Sequence, residues 1–194
     1  MKRLHFIAFF ALLLPFTAQA EFSYSWFEVG YIAHTEGDNA AGSEDGDGLD
    51  IRLNFLAGDT FYFTGHVSEI EFDDESELDR FGLGIGIHND PAASVGLFAT
   101  LTYEDLESGL VEEKGYGVSA GARYQLKEDI EINGGLKYAS YDELESRFLN
   151  IGGVWAFHQS YALVGEYTSG EFESELTGDK PGLDELRVAL RVQF

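Results

Sequence analysis

Apolar and polar side chains take turns along most of this chain, and that alternation limits what it can fold into. The last nine residues read LRVALRVQF: Leu186, Val188, Leu190, Val192 and Phe194 alternate with Arg187, Ala189, Arg191 and Gln193. Successive side chains of a β-strand point to opposite faces, so such a segment has one apolar and one polar side. The same period places Leu49, Ile51, Leu53 and Phe55 opposite Asp50, Arg52 and Asn54. It also places Leu97, Ala99, Leu101 and Tyr103 opposite Phe98, Thr100, Thr102 and Glu104. No stretch sustains a helical period for three turns, so the reading is all-β.

Ten such segments are predicted, at about 23–34, 49–57, 61–72, 78–88, 94–105, 113–126, 130–141, 146–157, 160–172 and from 186 to the end. The connections between them alternate in kind. One set is short, at 58–59, 89–92, 127–129 and 158–159; the other is acidic and often longer, at 35–48, 73–77, 106–112, 142–145 and 170–185. Tight turns at one end and freer loops at the other belong to a closed up-and-down antiparallel transmembrane β-barrel. Ten strands are read, with eight as the runner-up, and both mature termini fall on the short-turn side. The run Tyr103–Ser108 (YEDLES) is echoed by Tyr141–Ser146 (YDELES), which reads as a repeated strand–loop–strand rim.

The chain begins MKRLHFIAFFALLLPFTAQA. A basic head, an apolar stretch from Leu4 to Leu14 and the small-x-small run Ala18-Gln19-Ala20 read as a secretory signal over 1–20, leaving one domain over 21–194. Without Lys2 and Arg3 there remain ten basic residues against 35 acidic ones, a net charge of −25. That excess of acid excludes nucleic acid as a partner, because a phosphate backbone demands cationic contacts. Cysteine is absent, which removes disulfides and thiolate chemistry.

The polar faces carry the membrane argument. Glu28, Asp50, Arg52, His66, Glu104, Arg123, Glu131, Lys137, Glu166, Arg187 and Arg191 all lie opposite apolar faces. Charges removed from water must be paired. Those residues form a nearly neutral set, which makes an interior polar network of them and leaves the surplus acid in loops and rims. Glycines at 82, 84, 86, 117 and 121 share that inner face, where a narrow barrel needs room for long side chains. Tyr24, Trp26, Phe27, Tyr124, Trp155, Tyr161 and Phe194 near the short turns, and Tyr103, Tyr116 and Tyr141 near the longer loops, read as two interfacial girdles. A soluble periplasmic ligand-binding barrel would show the same period with reversed polarity, and period alone does not separate the two.

The terminal run Leu186, Val188, Leu190, Val192 and Phe194 resembles the C-terminal signature of Gram-negative outer-membrane barrel proteins. With the leader and the up-and-down pattern, the chain resembles small outer-membrane proteins of the OmpX or OmpA-transmembrane-domain kind, with ten strands rather than their eight. The resemblance implies an outer-membrane location with loops outside and termini periplasmic. It also implies a closing strand read by the barrel-assembly machinery, and contact with outer-membrane lipid and lipopolysaccharide.

No enzyme is expected. His34 with Glu36 and Asp38 offers a protease-like cluster, and His158-Gln159-Ser160 has deacylase-like spacing, but the latter falls in a short turn. Asp45, Asp47 and Asp50, or Asp73, Asp74 and Glu75, supply hard oxygen ligands without matching a calcium-loop pattern. The expectation is therefore no cofactor beyond weak divalent-cation association of the acidic loops. A structural or surface-interaction barrel is the first functional reading, and a small cation-favouring pore is the second.

Overall fold

A computed structural model describes residues 22–39, 42–109, 111–174 and 178–194. The expected leader lies outside the described residues. The strands are β1 (Trp26–Asn39), β2 (Gly42–Ala57), β3 (Phe61–Phe72), β4 (Glu77–Ala92), β5 (Val95–Ser108), β6 (Val111–Lys127), β7 (Ile130–Tyr141), β8 (Leu144–His158), β9 (Tyr161–Ser174) and β10 (Gly182–Gln193). Each pairs antiparallel with its neighbours in sequence, and β1 closes on β10. Closure leaves no unpaired edge, the condition a sheet must meet to cross hydrocarbon. With ten strands both ends of the chain reach the same rim, where Trp26 stands opposite Gln193.

Large apolar side chains cover the outside. Leu53, Phe63, Ile85, Leu101, Val118, Leu136, Ile151 and Val188 are all exposed, while the charged residues of the opposite face are buried or half-buried. A water-soluble barrel of this kind would present an apolar surface far beyond what a monomer in water tolerates. The polarity is that of a membrane barrel, and it removes the soluble ligand-binding alternative.

The strands run further than expected at the loop end. The acidic run 35–48 is almost wholly strand: β1 and β2 stay paired up to Asn39 opposite Gly42. Likewise the connection expected over 170–185 shrinks to 175–181 and that over 106–112 to 109–110. The reason is local. In the run Asp45-Gly46-Asp47-Gly48, the aspartates occupy outward positions and the glycines inward ones, so the period of two persists through a composition that reads as loop. A Cβ on Gly48 would lie 2.2 Å from the Glu69 carbonyl oxygen, so only glycine keeps the ladder tight there.

Two further expectations are corrected. Tyr24, Trp26 and Tyr141 are not girdle residues: Tyr24 is buried, and all three line the lumen. The YEDLES echo is not a structural repeat, because Tyr103 points outward whereas Tyr141 faces inward. An odd-numbered offset from the bend reverses the face even when the residues match. The remaining aromatics do form two outward belts, with Phe61, Tyr124, Trp155, Phe157 and Tyr161 near the short turns and Tyr31, Tyr103, Tyr116, Tyr138 and Tyr167 toward the loops.

Placing a cation on the outer face should be costly. We expect Leu101→Arg to lose about 2–4 kcal/mol of folding free energy in lipid vesicles, the range for a midplane cation. Urea titration followed by tryptophan fluorescence measures it, and an unchanged midpoint would argue against lipid at this position.

Candidate functional site

The lumen is the one place where the sequence concentrates chemistry, and the ladder decides which residues meet there. Register sets Glu28 directly opposite Arg191 on β10 and Arg52 on β2. Glu28 is 1% exposed; its Oε1 accepts Nε of Arg191 at 2.6 Å, and its Oε2 lies 2.7 Å from Nη2 of Arg187. Arg187 also donates from Nε to Asp50 Oδ1 at 2.6 Å. The other Asp50 oxygen accepts Arg52 Nε at 2.7 Å, and Arg52 Nη1 continues to Glu166 Oε1 at 2.7 Å. Arg191 ends the chain of contacts by lying 4.5 Å over the Trp26 ring, a cation–π contact. Six charged groups, Arg191, Glu28, Arg187, Asp50, Arg52 and Glu166, therefore form one connected series across β9, β10, β1 and β2.

Two smaller clusters complete the set. Glu104 on β5 is buried between Lys137 on β7, 2.8 Å from Oε1, and His66 on β3, 3.4 Å from Oε2. Thr102 donates its hydroxyl to the same carboxylate. Arg123 makes a two-toothed pair with Glu131 at 2.8 and 2.7 Å. Every charged residue expected on the inner face is thus in contact with an opposite partner. The sequence reading missed Arg80 and Glu185, which pair at 2.8 Å near the loop end. Their signal was present: Arg80 keeps inward parity with Gly82, and Glu185 with Arg187, but both were assigned to strand ends or loops.

Glycines seat these side chains. A Cβ on Gly30 would fall 2.0 Å from Asp50 Oδ1, and one on Gly82 2.2 Å from Cε1 of His66. At Gly30, Gly82 and Gly86 a side chain of the neighbouring strand lies flat against bare backbone.

Aromatic and aliphatic clusters stand at both mouths. At the short-turn end the segment 22–25 tucks inward, and Phe22, Tyr24 and Tyr62 form a buried cluster. The Arg123 guanidinium stacks 4.9 Å from Phe22 and 4.8 Å from Tyr24, and its Nη1 donates to the Ser23 carbonyl at 2.9 Å. Tyr24 donates to Asp90 Oδ1 at 3.0 Å and stacks on His88 at 3.7 Å. At the loop end Ile32, Ile70, Leu78, Leu106 and Leu183 meet across the lumen, with Phe72, Tyr141, Phe148 and Phe172 packed against them. A cavity of about 330 Å³ runs among these groups, bordered by Thr64, Thr100, Thr102 and Ser119 on the β3–β6 side.

The other expected candidates are scattered. His34 is exposed, with Nε2 4.0 Å from Glu36 Oε2, and the Asp38 side chain lies outside the described residues. His158 Nδ1 accepts the Ser160 backbone N–H at 3.2 Å, a bond that shapes the turn. Asp45 and Asp47 point outward while Asp50 is inside the lumen, so the trio is divided between faces. Asp74 accepts the Ser76 N–H at 2.9 Å, and hydrogen bonding from Ser76 holds its carboxyl below the usual range. Among the described residues, no three His, Asp or Glu side chains converge as a metal site would require. Of the terminal signature, Leu186, Val188 and Leu190 are exposed. Val192 and Phe194 are half-buried, because Phe27 and Tyr161 flank Val192 in the ladder and the Phe194 N–H is tied to the Ser25 carbonyl at 3.1 Å.

Removing Arg187 would leave one oxygen of each of two buried carboxylates, Glu28 Oε2 and Asp50 Oδ1, without its cation. Arg187→Met is expected to cost about 3–5 kcal/mol, and Gly30→Ala, which crowds the same pair, about 1–3 kcal/mol. The temperature at which the folded band on a detergent gel converts to the unfolded one reads both. Equal losses in the two variants would contradict this ordering.

No protein-family model matches the chain, and neither does any curated protein. Among solved structures it is similar to Neisserial surface protein A, at 15% identity with a TM-score of 0.51, covering 90% of this chain and 100% of that one. It is also similar to the NanC porin, at 6% identity with a TM-score of 0.53, covering 87% of this chain and 100% of that one. At these identities the likeness is one of fold: a closed membrane β-barrel.

Proposed function

We propose that the chain is an outer-membrane barrel of structural or surface-interaction type, closed to ions, with its loop end outside and both mature termini periplasmic. The observation that carries this is the filled lumen. A connected series of buried ion pairs crosses it, and aromatic and aliphatic clusters close each mouth. Ion flow through a barrel needs a continuous aqueous path with sites an ion can enter and leave. Here the cations and carboxylates that would line such a path are held by one another. In planar bilayers the refolded protein is expected to give no resolved current steps; well-resolved steps would overturn the closed reading.

A small cation-favouring pore is the second reading, favoured by the cavity of about 330 Å³ beside Thr64, Thr100 and Ser119. The same recording decides between the two. Outer-membrane lipid, lipopolysaccharide and the assembly machinery are the partners this reading implies, with divalent cations weakly associated with the outer acids.

The terminal segment is assigned the assembly role. Phe194 is half-buried beyond the end of β10 and tied to the Ser25 carbonyl by its N–H, outside the strand ladder itself, so its loss is expected to leave the ten paired strands in place. Deleting it is expected to lower the yield in the outer membrane severalfold while leaving the melting behaviour of the refolded barrel nearly unchanged. Normal yield from the deletion would count against this role.

A further inference from the structure

On β3, β4, β5 and β10 the alternation of side chains keeps its period up to the loop end but changes sign there, while β1 is interrupted by a bulge between Ile32 and Thr35. On β5 the outward series Leu97, Leu101, Tyr103 continues as Asp105 and Glu107. The inward series on the same strand, Thr102 and Glu104, continues as Leu106, which is buried in the apolar cluster at the mouth. On β3, outward Phe63 and Val67 give way to Glu69 and Glu71 as inward His66 and Ser68 give way to Ile70. On β4, read toward the loops, Phe81 gives way to Asp79 and Glu77 as Arg80 gives way to Leu78. On β10, Leu186 gives way to Asp184 as Glu185 gives way to Leu183.

These switches lie side by side. Glu69 pairs with Asp79 and Ile70 with Leu78; Asp79 in turn pairs with Glu107 and Arg80 with Leu106. The outward tyrosines stand just below the change, and two of them reach across it: Tyr31 donates to Asp47 Oδ2 at 2.9 Å and Tyr138 to Glu145 Oε1 at 2.7 Å. Their rings meet the apolar belt while their hydroxyls meet carboxylates, the arrangement that suits a boundary between oil and water.

The two faces give separate testimony. An outer face turns polar wherever a strand leaves the lipid. An inner face gathers its larger apolar side chains where the outside is water and burial of apolar surface again favours folding. Below the tyrosines the outside is apolar and the inside holds the ion pairs beside a small cluster of Val154, Ala162, Val164 and Ala189; above them the outside is acidic and the inside carries Ile32, Ile70, Leu78, Leu106 and Leu183, with Glu113 buried beside Leu106. The height is consistent as well. From Tyr116 to Leu126 the outward face of β6 spans ten steps of about 3.3 Å, which at a tilt of about 40° gives roughly the 25 Å band of an outer-membrane barrel.

We infer that the lipid boundary on the loop side lies at the ring formed by Tyr31, Tyr103, Tyr116, Tyr138 and Tyr167, and that the strand ends beyond it stand clear of the hydrocarbon as a water-type barrel segment built on the same ten strands. The surface offered at that end is therefore rigid, acid-coated strand rather than mobile loop. This rests on the membrane reading above and adds the depth at which the molecule sits.

The chain has no cysteine, so single-cysteine variants report position by position. Leu101→Cys and Glu107→Cys on β5, and Leu83→Cys and Glu77→Cys on β4, are labelled with an environment-sensitive fluorophore and refolded into phosphatidylcholine vesicles. Nitroxides on the acyl chains are expected to quench the labels at 101 and 83 severalfold and to leave those at 107 and 77 unchanged, with aqueous iodide giving the reverse. Acyl-chain quenching at 107 and 77 equal to that at 101 and 83 would overturn the boundary while sparing the membrane reading. Iodide quenching at all four positions would overturn both. Neither result depends on whether the barrel conducts, so the closed-lumen reading stands or falls on its own recording.

Discussion

The ladder between β1 and β10 is the constraint on which the rest of this structure depends. Until those strands pair, each presents a row of free backbone donors and acceptors that hydrocarbon does not satisfy. Their pairing also creates the centre of the lumen. Glu28 near the start of the chain reaches Arg187 and Arg191 near its end only because Val29 stands opposite Leu190 and Tyr31 opposite Val188. A slip of one residue would turn Arg187 and Arg191 toward lipid and Val188 and Leu190 into the lumen, because side chains alternate with a period of two. The buried charges thus act chiefly as a register lock. Buried ion pairs contribute little net stability against a well-packed apolar core, but misplacing them costs a great deal.

Most of the architecture was legible because a membrane barrel writes its rule on every strand. The alternation on β2, β5 and β10 was enough to separate inner from outer residues, and all eleven residues read as inner ones face away from the lipid side. What failed was the reading of acid and glycine as loop. Glu44–Gly48 and Leu106–Ser108 look like connections by composition, yet the period runs through them unbroken. Composition reports the solvent around a segment, whereas period reports its backbone. Where the solvent changes from lipid to water along one strand, the two signals part. The same error hid Arg80 and Glu185, whose inward parity was clear but whose neighbours had been assigned to strand ends and loops.

Inward tyrosines and tryptophan were harder to place. Tyr24 and Trp26 precede or open β1, and a terminal aromatic near a short turn reads naturally as a girdle residue. Their inward positions follow from groups far away in sequence: Arg123 offers a cation to the Tyr24 ring, Arg191 does so for Trp26, and Asp90 accepts the Tyr24 hydroxyl. No local pattern carries such information. The mouth closures are therefore the part of the site that only three-dimensional contact reveals, although parity with Glu28 would have placed Trp26 inside.

The partition of charge decides where a function can sit. Arg52, Arg80, Arg123, Lys137, Arg187 and Arg191 each contact a carboxylate in the lumen, so the interior neutralises itself. The chain as a whole carries −23, and the surplus must lie elsewhere. It lies on the outward positions above the tyrosines, where Glu69, Asp79, Glu107 and Glu112 stand as successive cross-strand neighbours. Like charges opposite one another weaken a sheet, and the residues that hold this part together are the apolar ones beneath them: Ile70, Leu78 and Leu106. The charges of the lumen are satisfied by one another, whereas the rim, even with Lys114 paired to Glu112 and Arg147 to Glu145, keeps a net acidic charge on strands packed over an apolar core. Whatever this barrel meets, the forces available to it are concentrated outside the tyrosine ring.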